Sequence, residues 1–353
     1  MGRPLHRAAA VARALSRRAR RRSWGAARSV GAGWWLAVAL GACRAPAASV
    51  VDRFDVRVPV GTAGGELVLA GTLTVPSRSD GTRAPVALIL GGSGPQNRDG
   101  ARDDLPGYQP WQEVADSLAG RGIASLRLDD RGTAASTGQF AGSTTVDFAH
   151  DAEAAVRWLQ TAPSVDGTRL ALIGHSEGAL VALLAAPALP PVRALVLLGA
   201  ASRPGRELAR WQRQAVVTRD LAAFPPPMRT PVLSAAEGEA ERLAEREPWL
   251  RTWFALDPRD AARTAARTTH APVLLVHGET DQQVPVAQAA ELAAALREGG
   301  ARVRVERVPR TNHLFLADDD GGPEGYVRLV DRRVHPAALG AIAGFLEGAL
   351  GAR

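Results

Sequence analysis

Short apolar runs alternate with longer helical patterns over most of the chain from about residue 50 onwards. Five short runs are mostly apolar: 86–90, 123–128, 170–173, 194–198 and 273–276. Most of them are too unbroken for a sheet with one solvent-exposed face and predict strands covered on both faces. A run at 303–308 alternates apolar with charged residues, which indicates a half-exposed strand nearer an edge.

The stretches between these runs predict helices over 111–119, 144–160, 178–186, 286–297 and 337–350. Strands that alternate with helices at this spacing indicate crossover connections and a doubly wound, mainly parallel α/β sheet. Two β-rich segments, 50–60 and 66–75, flank a glycine-rich turn. They predict a hairpin that supplies an antiparallel edge to the sheet.

One block, residues 205–268, contains helical patterns, a triple-proline break and three tryptophans, but no strand pattern. A helical insertion over the carboxyl end of a sheet is expected to form a lid that shapes a pocket; a surface subdomain without that role is the alternative. The predicted organisation is a leader and linker at 1–49, an α/β core at 50–204 and 269–353, and a lid at 205–268.

The charge of the chain changes this picture only at its amino end. The 353 residues carry a formal charge of +7, and all 43 basic residues are arginine. Nine arginines and no carboxylate lie in the first 42 residues, so the remainder has 34 basic and 36 acidic residues, or about −2. This balance does not support a nucleic-acid-binding body. The single cysteine, Cys43, excludes a disulfide framework and a thiolate metal cluster.

The amino-terminal 42 residues have the pattern of an export signal. A basic segment at 17–28 precedes an apolar segment at 30–42. As a helix the apolar segment would span about 20 Å, which is too short for a comfortable bilayer crossing. We therefore expect an exported protein.

The signal ends in Leu40-Gly41-Ala42-Cys43, which resembles the bacterial lipoprotein box, in which the cysteine receives a lipid. The expected location is periplasmic or membrane-anchored through a lipidated Cys43, and otherwise secreted. The alternatives are cleavage after Ala45-Pro46-Ala47, twin-arginine export through Arg17-Arg18, and an uncleaved amphipathic tail or a start codon placed too early.

The strongest chemical motif follows the predicted strand at 170–173. Gly174-His175-Ser176-Glu177-Gly178 leads into a helix rich in alanine and leucine. G-x-S-x-G between a strand and a helix predicts a sharp turn that holds the serine Oγ above the sheet. The helix N-terminus beneath it favours developing negative charge, so Ser176 is the expected nucleophile.

A serine hydroxyl needs a base, and the carboxyl edge of the sheet offers two. His313 lies in the loop after the last strand, and His277 ends the preceding strand. We favour His313, because the base of such sites comes from the loop after the final strand. His175 adjoins the nucleophile, but the turn directs its ring away, which favours a packing role.

The orienting acid and the oxyanion hole complete the predicted site. In the segment 279–285, Asp281 is the favoured carboxylate and Glu279 the alternative; the acid would fix the imidazole tautomer. The oxyanion hole needs two backbone N–H groups. One is expected from Glu177, and the other from Ser93, with Gly94 as the alternative, in the glycine-rich turn after 86–90.

With these motifs, residues 50–350 resemble the α/β-hydrolase superfamily. The stretch 91–100, GGSGPQNRDG, is similar to the signature loop of a bacterial esterase group known as serine aminopeptidase-like or dienelactone hydrolase-like, with Asn97 where Asp is usual. The segment 128–132 resembles the D-x-R-G turn of that family without its second glycine, and Asp129 and Arg131 are expected to tie loops together. The resemblance implies the α/β-hydrolase fold and ester hydrolysis through an acyl-enzyme, with no metal or organic cofactor.

The expected function is that of a serine esterase acting on small acyl substrates. A serine peptidase uses the same machinery, and an aminopeptidase would also need an acidic clamp, for which the lid offers Glu237, Glu239 and Glu241. The third hypothesis is a non-catalytic, lipid-anchored binding protein on a hydrolase scaffold. The complete predicted triad disfavours it, because the loss of any one member would inactivate such a site.

Overall fold

A computed structural model describes residues 51–62, 65–78 and 80–352 of the chain. The predicted leader and Cys43 lie outside the described residues. The described strands form one eight-stranded sheet in the order β1-β2-β4-β3-β5-β6-β7-β8. In chain order they are β1 (Val51–Thr62), β2 (Gly65–Pro76), β3 (Ala84–Leu90), β4 (Ala124–Leu128), β5 (Val165–His175), β6 (Ala194–Leu198), β7 (Val273–Gly278) and β8 (Val303–Val308).

The register of the sheet confirms the predicted doubly wound topology. β1 and β2 form an antiparallel hairpin, and β2 joins β4 antiparallel. The neighbouring strands β4, β3, β5, β6, β7 and β8, in their order across the sheet, are all parallel. The carboxyl ends of six parallel strands therefore point to one edge, where ligands bind in open α/β sheets.

The described helices connect these strands and pack on both sheet faces. They are α1 (Pro110–Ala119), α2 (Thr145–Thr161), α3 (Glu177–Ala185), α4 (Gly205–Asp220), α5 (Pro226–Arg246), α6 (Pro248–Ala255), α7 (Pro258–Thr269), α8 (Ala287–Glu298) and α9 (Pro336–Leu350). Buried side chains of α2, α3, α7 and α8 pack on one face, and those of α1 and α9 pack on the other.

The unbroken apolar strands owe their pattern to this double coverage. Successive side chains of a strand point to opposite faces. In β3, Val86 and Leu88 join the core under α2 and α3, whereas Ala87 and Ile89 join the core under α1 and α9. β8 lies at the edge of the sheet, as its alternating pattern predicts.

The block predicted as a helical insertion contains four helices. Three of them, α4 to α6, bury a small apolar cluster of their own around Leu250 and Phe254. The fourth, α7, places Ala262, Ala265 and Ala266 in the main core. Among the described helices, none combines the length and the apolar character that a bilayer crossing requires.

Candidate active site

The turn between β5 and α3 holds Ser176 in a strained conformation. β5 ends at His175, α3 begins at Glu177, and Ser176 between them has φ 52° and ψ −115°. A positive φ is uncommon for a residue with a side chain and costs about 1–3 kcal/mol. The backbone N–H of Ser176 donates to Leu198 O at 2.8 Å, which fixes the turn against the end of β6.

Two glycines make this turn possible. A Cβ at Gly174 would lie 2.2 Å from Gly178 O, and a Cβ at Gly178 would lie 2.2 Å from Gly91 O. Real side chains do not approach backbone oxygens so closely, so strand, helix and the loop after β3 can meet only at glycine. The G-x-S-x-G motif thus has the packing reason that its sequence context indicates.

His313 lies in the loop after β8 and is oriented by a carboxylate. The side chain of Asn312 shapes this loop, because its Oδ1 accepts from the N–H groups of Leu314 and Leu316 at 2.9 and 3.1 Å. His313 Nδ1 is 2.7 Å from Asp281 Oδ2, and both side chains are buried. A carboxylate can only accept here, so the proton belongs on Nδ1 and the lone pair of Nε2 is available.

Asp281 is held as a carboxylate by its surroundings. Its Oδ1 accepts from the N–H groups of Gln283 and Val284 at 2.8 and 2.9 Å. Burial by itself would raise the pKa of Asp281, but the neighbouring His313 and His277 outweigh burial and hold the pKa well below its usual range. Asp281 therefore stays charged at every pH at which an imidazolium could form beside it.

The two alternatives from the sequence occupy different positions. His277 is fully buried, and its Nε2 lies 2.9 Å from Val284 O and 3.3 Å from Asp281 Oδ2. It thus ties the Asp281 loop to β7. Glu279 is exposed and pairs with Arg307 at 3.3 Å. The structure brings Asp281, and not Glu279, to His313.

The chain that leaves β6 contacts both Ser176 and His313. The backbone N–H of Ser176 donates to Leu198 O, and the next residue, Gly199, packs against the imidazole: a Cβ there would be 3.2 Å from His313 Nδ1 and Cε1. The Ser176 hydroxyl has no hydrogen-bond partner among the described residues. The hydrogen bond between a nucleophile and its base often tightens only in the complex with substrate.

The His175 ring packs against the His313 ring, which agrees with the packing role expected for it. The ring centroids are 4.8 Å apart, and His175 Nε2 donates to His313 O at 2.9 Å. Burial, with the nearby His313, lowers the pKa of His175 to about 3, so its ring is neutral at physiological pH. A neutral ring supports the His313 loop without repelling an imidazolium there.

The two predicted oxyanion amides belong to segments that border the nucleophile. Glu177 opens α3 directly after Ser176, and the loop after β3, which holds Ser93, approaches Ser176 at Gly92, where a Cβ would be 3.3 Å from Ser176 Cβ. In the described part of the chain, neither the Ser93 nor the Glu177 N–H has an acceptor. Free N–H groups of this kind can bind a developing oxyanion.

Ion pairs at the end of β4 tie the surrounding loops together. Asp129 accepts from the Arg98 N–H at 2.7 Å and from its guanidinium at 2.8 Å. Arg131 pairs with Asp151 of α2 at 2.6 Å. In the same loop, Asn97 Oδ1 accepts from two backbone N–H groups at 3.1 Å, an acceptor role that a carboxylate would also fill.

A cavity adjoins the nucleophile turn at Glu177 and Gly178. It lies between α2, α3 and the loops after β3 and β4, and we call it the α2–α3 cavity. Glu177 lines it, and the Glu177 carboxylate accepts from Trp249 Nε1 of α6 and from Thr145 Oγ1, both at 2.7 Å. Thr145, Trp249 and Asp130, which also lines this cavity, belong to no sequence motif that indicated a role at this site.

In the part of the chain that the structure describes, no group of three or more His, Cys, Asp or Glu side chains is arranged to hold a metal ion. The site consists of a serine on a strained strand-to-helix turn, a buried imidazole and a buried carboxylate.

The sheet, its crossover helices and this turn define the α/β-hydrolase fold. Residues 108–320, more than half of the chain, match the family described as serine aminopeptidase, S33. The chain belongs to this family of hydrolases.

The curated relatives are uncharacterized proteins of two Mycobacterium tuberculosis strains. Each is 31% identical over 186 residues, which are 53% of this chain and 52% of the relative. The chain thus spans about half the length of these relatives.

Three solved structures share the fold at low sequence identity. The α/β-hydrolase GrgF from Penicillium sp. sh18 has a TM-score of 0.54 at 20% identity and covers 85% of this chain and 99% of its own. Est1E from Butyrivibrio proteoclasticus, with ferulic acid bound, has a TM-score of 0.52 at 16% identity, covering 83% and 99%. The Pyrococcus furiosus esterase Pf2001 has 0.51 at 17%, covering 84% and 90%.

Proposed function

We propose that this hydrolase cleaves carboxylic ester bonds of small acyl substrates, with Ser176 as nucleophile, His313 as base and Asp281 as orienting acid. The observation that carries the proposal is the 2.7 Å contact between His313 Nδ1 and Asp281 Oδ2 beside a serine with φ 52°. A triad is recognised by such geometry and by the roles of its members.

In the acylation step, Ser176 Oγ attacks the acyl carbonyl carbon while its proton moves to His313 Nε2. Asp281 stabilises the resulting imidazolium. The N–H groups of Ser93 and Glu177 bind the oxyanion of the tetrahedral intermediate. When the intermediate collapses, the alcohol leaves with the proton from His313, and the acyl group remains as an ester on Ser176.

Deacylation repeats these steps with water as the nucleophile. Water gives a proton to His313 Nε2 and attacks the acyl-enzyme carbonyl. The second tetrahedral intermediate breaks its bond to Ser176 Oγ, which takes the proton back from His313. The carboxylic acid is released, and the hydroxyl and imidazole return to their starting states without any cofactor.

We propose that helices α4 to α6 act as the lid of this site. The hydrogen bond from Trp249 Nε1 to the Glu177 carboxylate at 2.7 Å supports this role, because it ties α6 to the residue after the nucleophile. Lids of α/β enzymes exclude water and shape the substrate pocket.

A paired substrate test separates an esterase from a peptidase. The purified protein should hydrolyse leucine p-nitrophenyl ester and give no measurable turnover of leucine p-nitroanilide, which has the same acyl group but a more stable amide bond. Release of p-nitrophenol or p-nitroaniline is followed by absorbance. Because a peptidase also cleaves activated esters, measurable turnover of the anilide would favour a peptidase, and hydrolysis of neither would favour a binding protein.

We also propose that the chain is exported and anchored to the membrane through a lipidated Cys43. The basic segment at 17–28, the apolar segment at 30–42 and the residues Leu40-Gly41-Ala42-Cys43 support this proposal.

Expression of the full chain in a lipoprotein-processing host tests the anchor. Radiolabelled palmitate should appear in the membrane-bound protein and be lost completely in the Cys43→Ser variant, because Cys43 is the single cysteine of the chain. Label that persists in Cys43→Ser, or a wild-type protein without label, would contradict lipidation at this residue.

A further inference from the structure

A second cavity lies between the loop after β3 and the start of α1, and we call it the α1 cavity. Its lining includes Ser93, Ala101, Tyr108, Trp111, His175 and Leu314. The residues on the two sides of Ser176 belong to different cavities, because His175 lines the α1 cavity and Glu177 lines the α2–α3 cavity. Gly94 lines both, so each cavity borders the loop that holds the proposed oxyanion donor Ser93.

The α1 cavity lies on the side of the base. Leu314, which lines it, directly follows His313. The His175 ring, which also lines it, has its centroid 4.8 Å from that of the His313 ring. Among the described residues, none of the His313 loop at 309–317 lines the α2–α3 cavity. Because His313 gives its proton to the leaving alcohol, the alcohol part of an ester is expected on the side of the α1 cavity.

Two aromatic side chains of this cavity have their polar atoms bound within the protein. Tyr108 is buried, and its hydroxyl donates to Leu314 O at 3.0 Å. Trp111 is also buried, and its Nε1 donates to Gln96 Oε1 at 3.2 Å. A ligand therefore needs no hydrogen-bonding group to satisfy these two rings, which offer it apolar contact.

The charges beside the cavity do not favour an ionic ligand. Of the described residues that line it, Arg102 alone carries a permanent charge, and it forms an ion pair with Asp104 at 2.9 Å. The imidazole of His175 is neutral, because burial lowers its pKa to about 3. The α1 cavity thus suits an uncharged group better than an anion or a cation.

The volume of the α1 cavity matches a single aromatic ring. An apolar protein cavity of about 150 Å³ can bind benzene. The α1 cavity has a volume of about 190 Å³, which is enough for a ring of that size but not for three fused rings. The rings of Tyr108, Trp111 and His175 can contact such a group by offset stacking or edge to face.

We infer that the α1 cavity binds the alcohol part of the substrate and selects small, uncharged aromatic alcohols of the size of benzyl alcohol. This inference rests on the proposed function and names the alcohol whose esters the enzyme cleaves best. When the tetrahedral intermediate collapses, the bond from the carbonyl carbon to the alcohol oxygen breaks. The alcohol takes the proton from His313 in this cavity, and the acyl group stays on Ser176.

Filling the cavity tests the inference. Ala101 is exposed and lines the cavity, so a larger side chain there can enter the cavity without replacing a buried group. In Ala101→Phe, kcat/KM for benzyl butanoate should fall by about tenfold or more, because the phenyl group of the substrate loses its buried position. For methyl butanoate it should change by less than about threefold, since a methyl group buries little surface there. Both esters release butanoate, which chromatography measures.

Ala294→Phe is the matched control, because Ala294 is exposed on α8 and lies outside the cavity lining. It should leave both rates unchanged. Equal effects of Ala101→Phe on the two esters would overturn the inference while leaving the esterase in place. Hydrolysis of neither ester by the wild type would overturn the proposed function and this inference together.

A second measurement uses the wild type alone and covers the case that Ala101→Phe does not fold. Benzyl butanoate and 9-anthracenylmethyl butanoate are both esters of primary arylmethyl alcohols and differ in the size of the aromatic group. The benzyl ester should have a kcat/KM about tenfold or more above that of the anthracenylmethyl ester, because three fused rings exceed the volume of the cavity. Equal values, or a faster anthracenylmethyl ester, would contradict the α1 cavity as the alcohol site.

Discussion

Replacing Ser176 with alanine is expected to lower kcat for ester hydrolysis by about 10⁴-fold or more, since triad members act as a unit. The variant keeps the turn and the amides of Ser93 and Glu177, so a small residual rate over water is expected. Initial rates with p-nitrophenyl esters at saturating substrate measure the effect.

Ser117→Ala is a suitable control for Ser176→Ala. Ser117 lies in α1, away from the carboxyl edge of the sheet, and it loses the same single oxygen. Its rates should match those of the wild type. Ser176→Ala with wild-type kcat would show that another group is the nucleophile.

The second large effect concerns the orienting acid. Asp281→Asn is expected to lower kcat by about 10³–10⁴-fold with little change in KM, because an amide favours the wrong imidazole tautomer and cannot stabilise the imidazolium. The Asn Oδ1 can still accept from the N–H groups of Gln283 and Val284, so the loop should keep its shape. Steady-state kinetics from pH 6 to 9 measure the loss.

Glu279→Gln separates the two acids that the sequence offered. Glu279 is exposed and paired with Arg307, and exposed ion pairs contribute about 0–1 kcal/mol, so its loss should change kcat by less than about twofold. If kcat fell as much in Glu279→Gln as in Asp281→Asn, the result would contradict the assignment of Asp281 as the orienting acid.

Much of the fold could be predicted because its strands are buried on both faces. Runs such as 86–90 and 194–198 have no polar interruption, and the sheet places them under helices on each side. β5 is longer than its apolar run at 170–173, since residues 165–169 extend it beside β3 through an irregular register. Polar residues such as Asp166 and Arg169 interrupt the apolar pattern, so the extension could not be predicted from it.

The proposed triad was accessible from sequence because each member follows a strand of a parallel sheet. Ser176 follows β5, Asp281 follows β7 and His313 follows β8, and parallel strands bring these loops to one edge. The motif around Ser176 is local, and the parallel topology brings the loops of Asp281 and His313 to the same edge. The contact between Asp281 and His313 joins residues whose partnership no short-range pattern specifies.

The pattern of charges at the α2–α3 cavity could not be predicted, because it depends on which carboxylates the fold pairs with arginines. Asp129 and Asp130 are adjacent in sequence, yet only Asp129 meets Arg98. Trp249 reaches Glu177 across 72 positions of sequence. In contrast, the alanines at 262, 265 and 266 have the spacing of a buried helix face, a signal that could have assigned α7 to the core.

Labelling with a fluorophosphonate tests most directly whether Ser176 is the nucleophile. The probe loses fluoride to an activated serine and leaves a stable phosphonyl ester that mass spectrometry can locate. We expect one adduct per wild-type chain, on the peptide that contains Ser176, and none in Ser176→Ala. An adduct on another residue, or undiminished labelling of Ser176→Ala, would contradict the proposed enzyme.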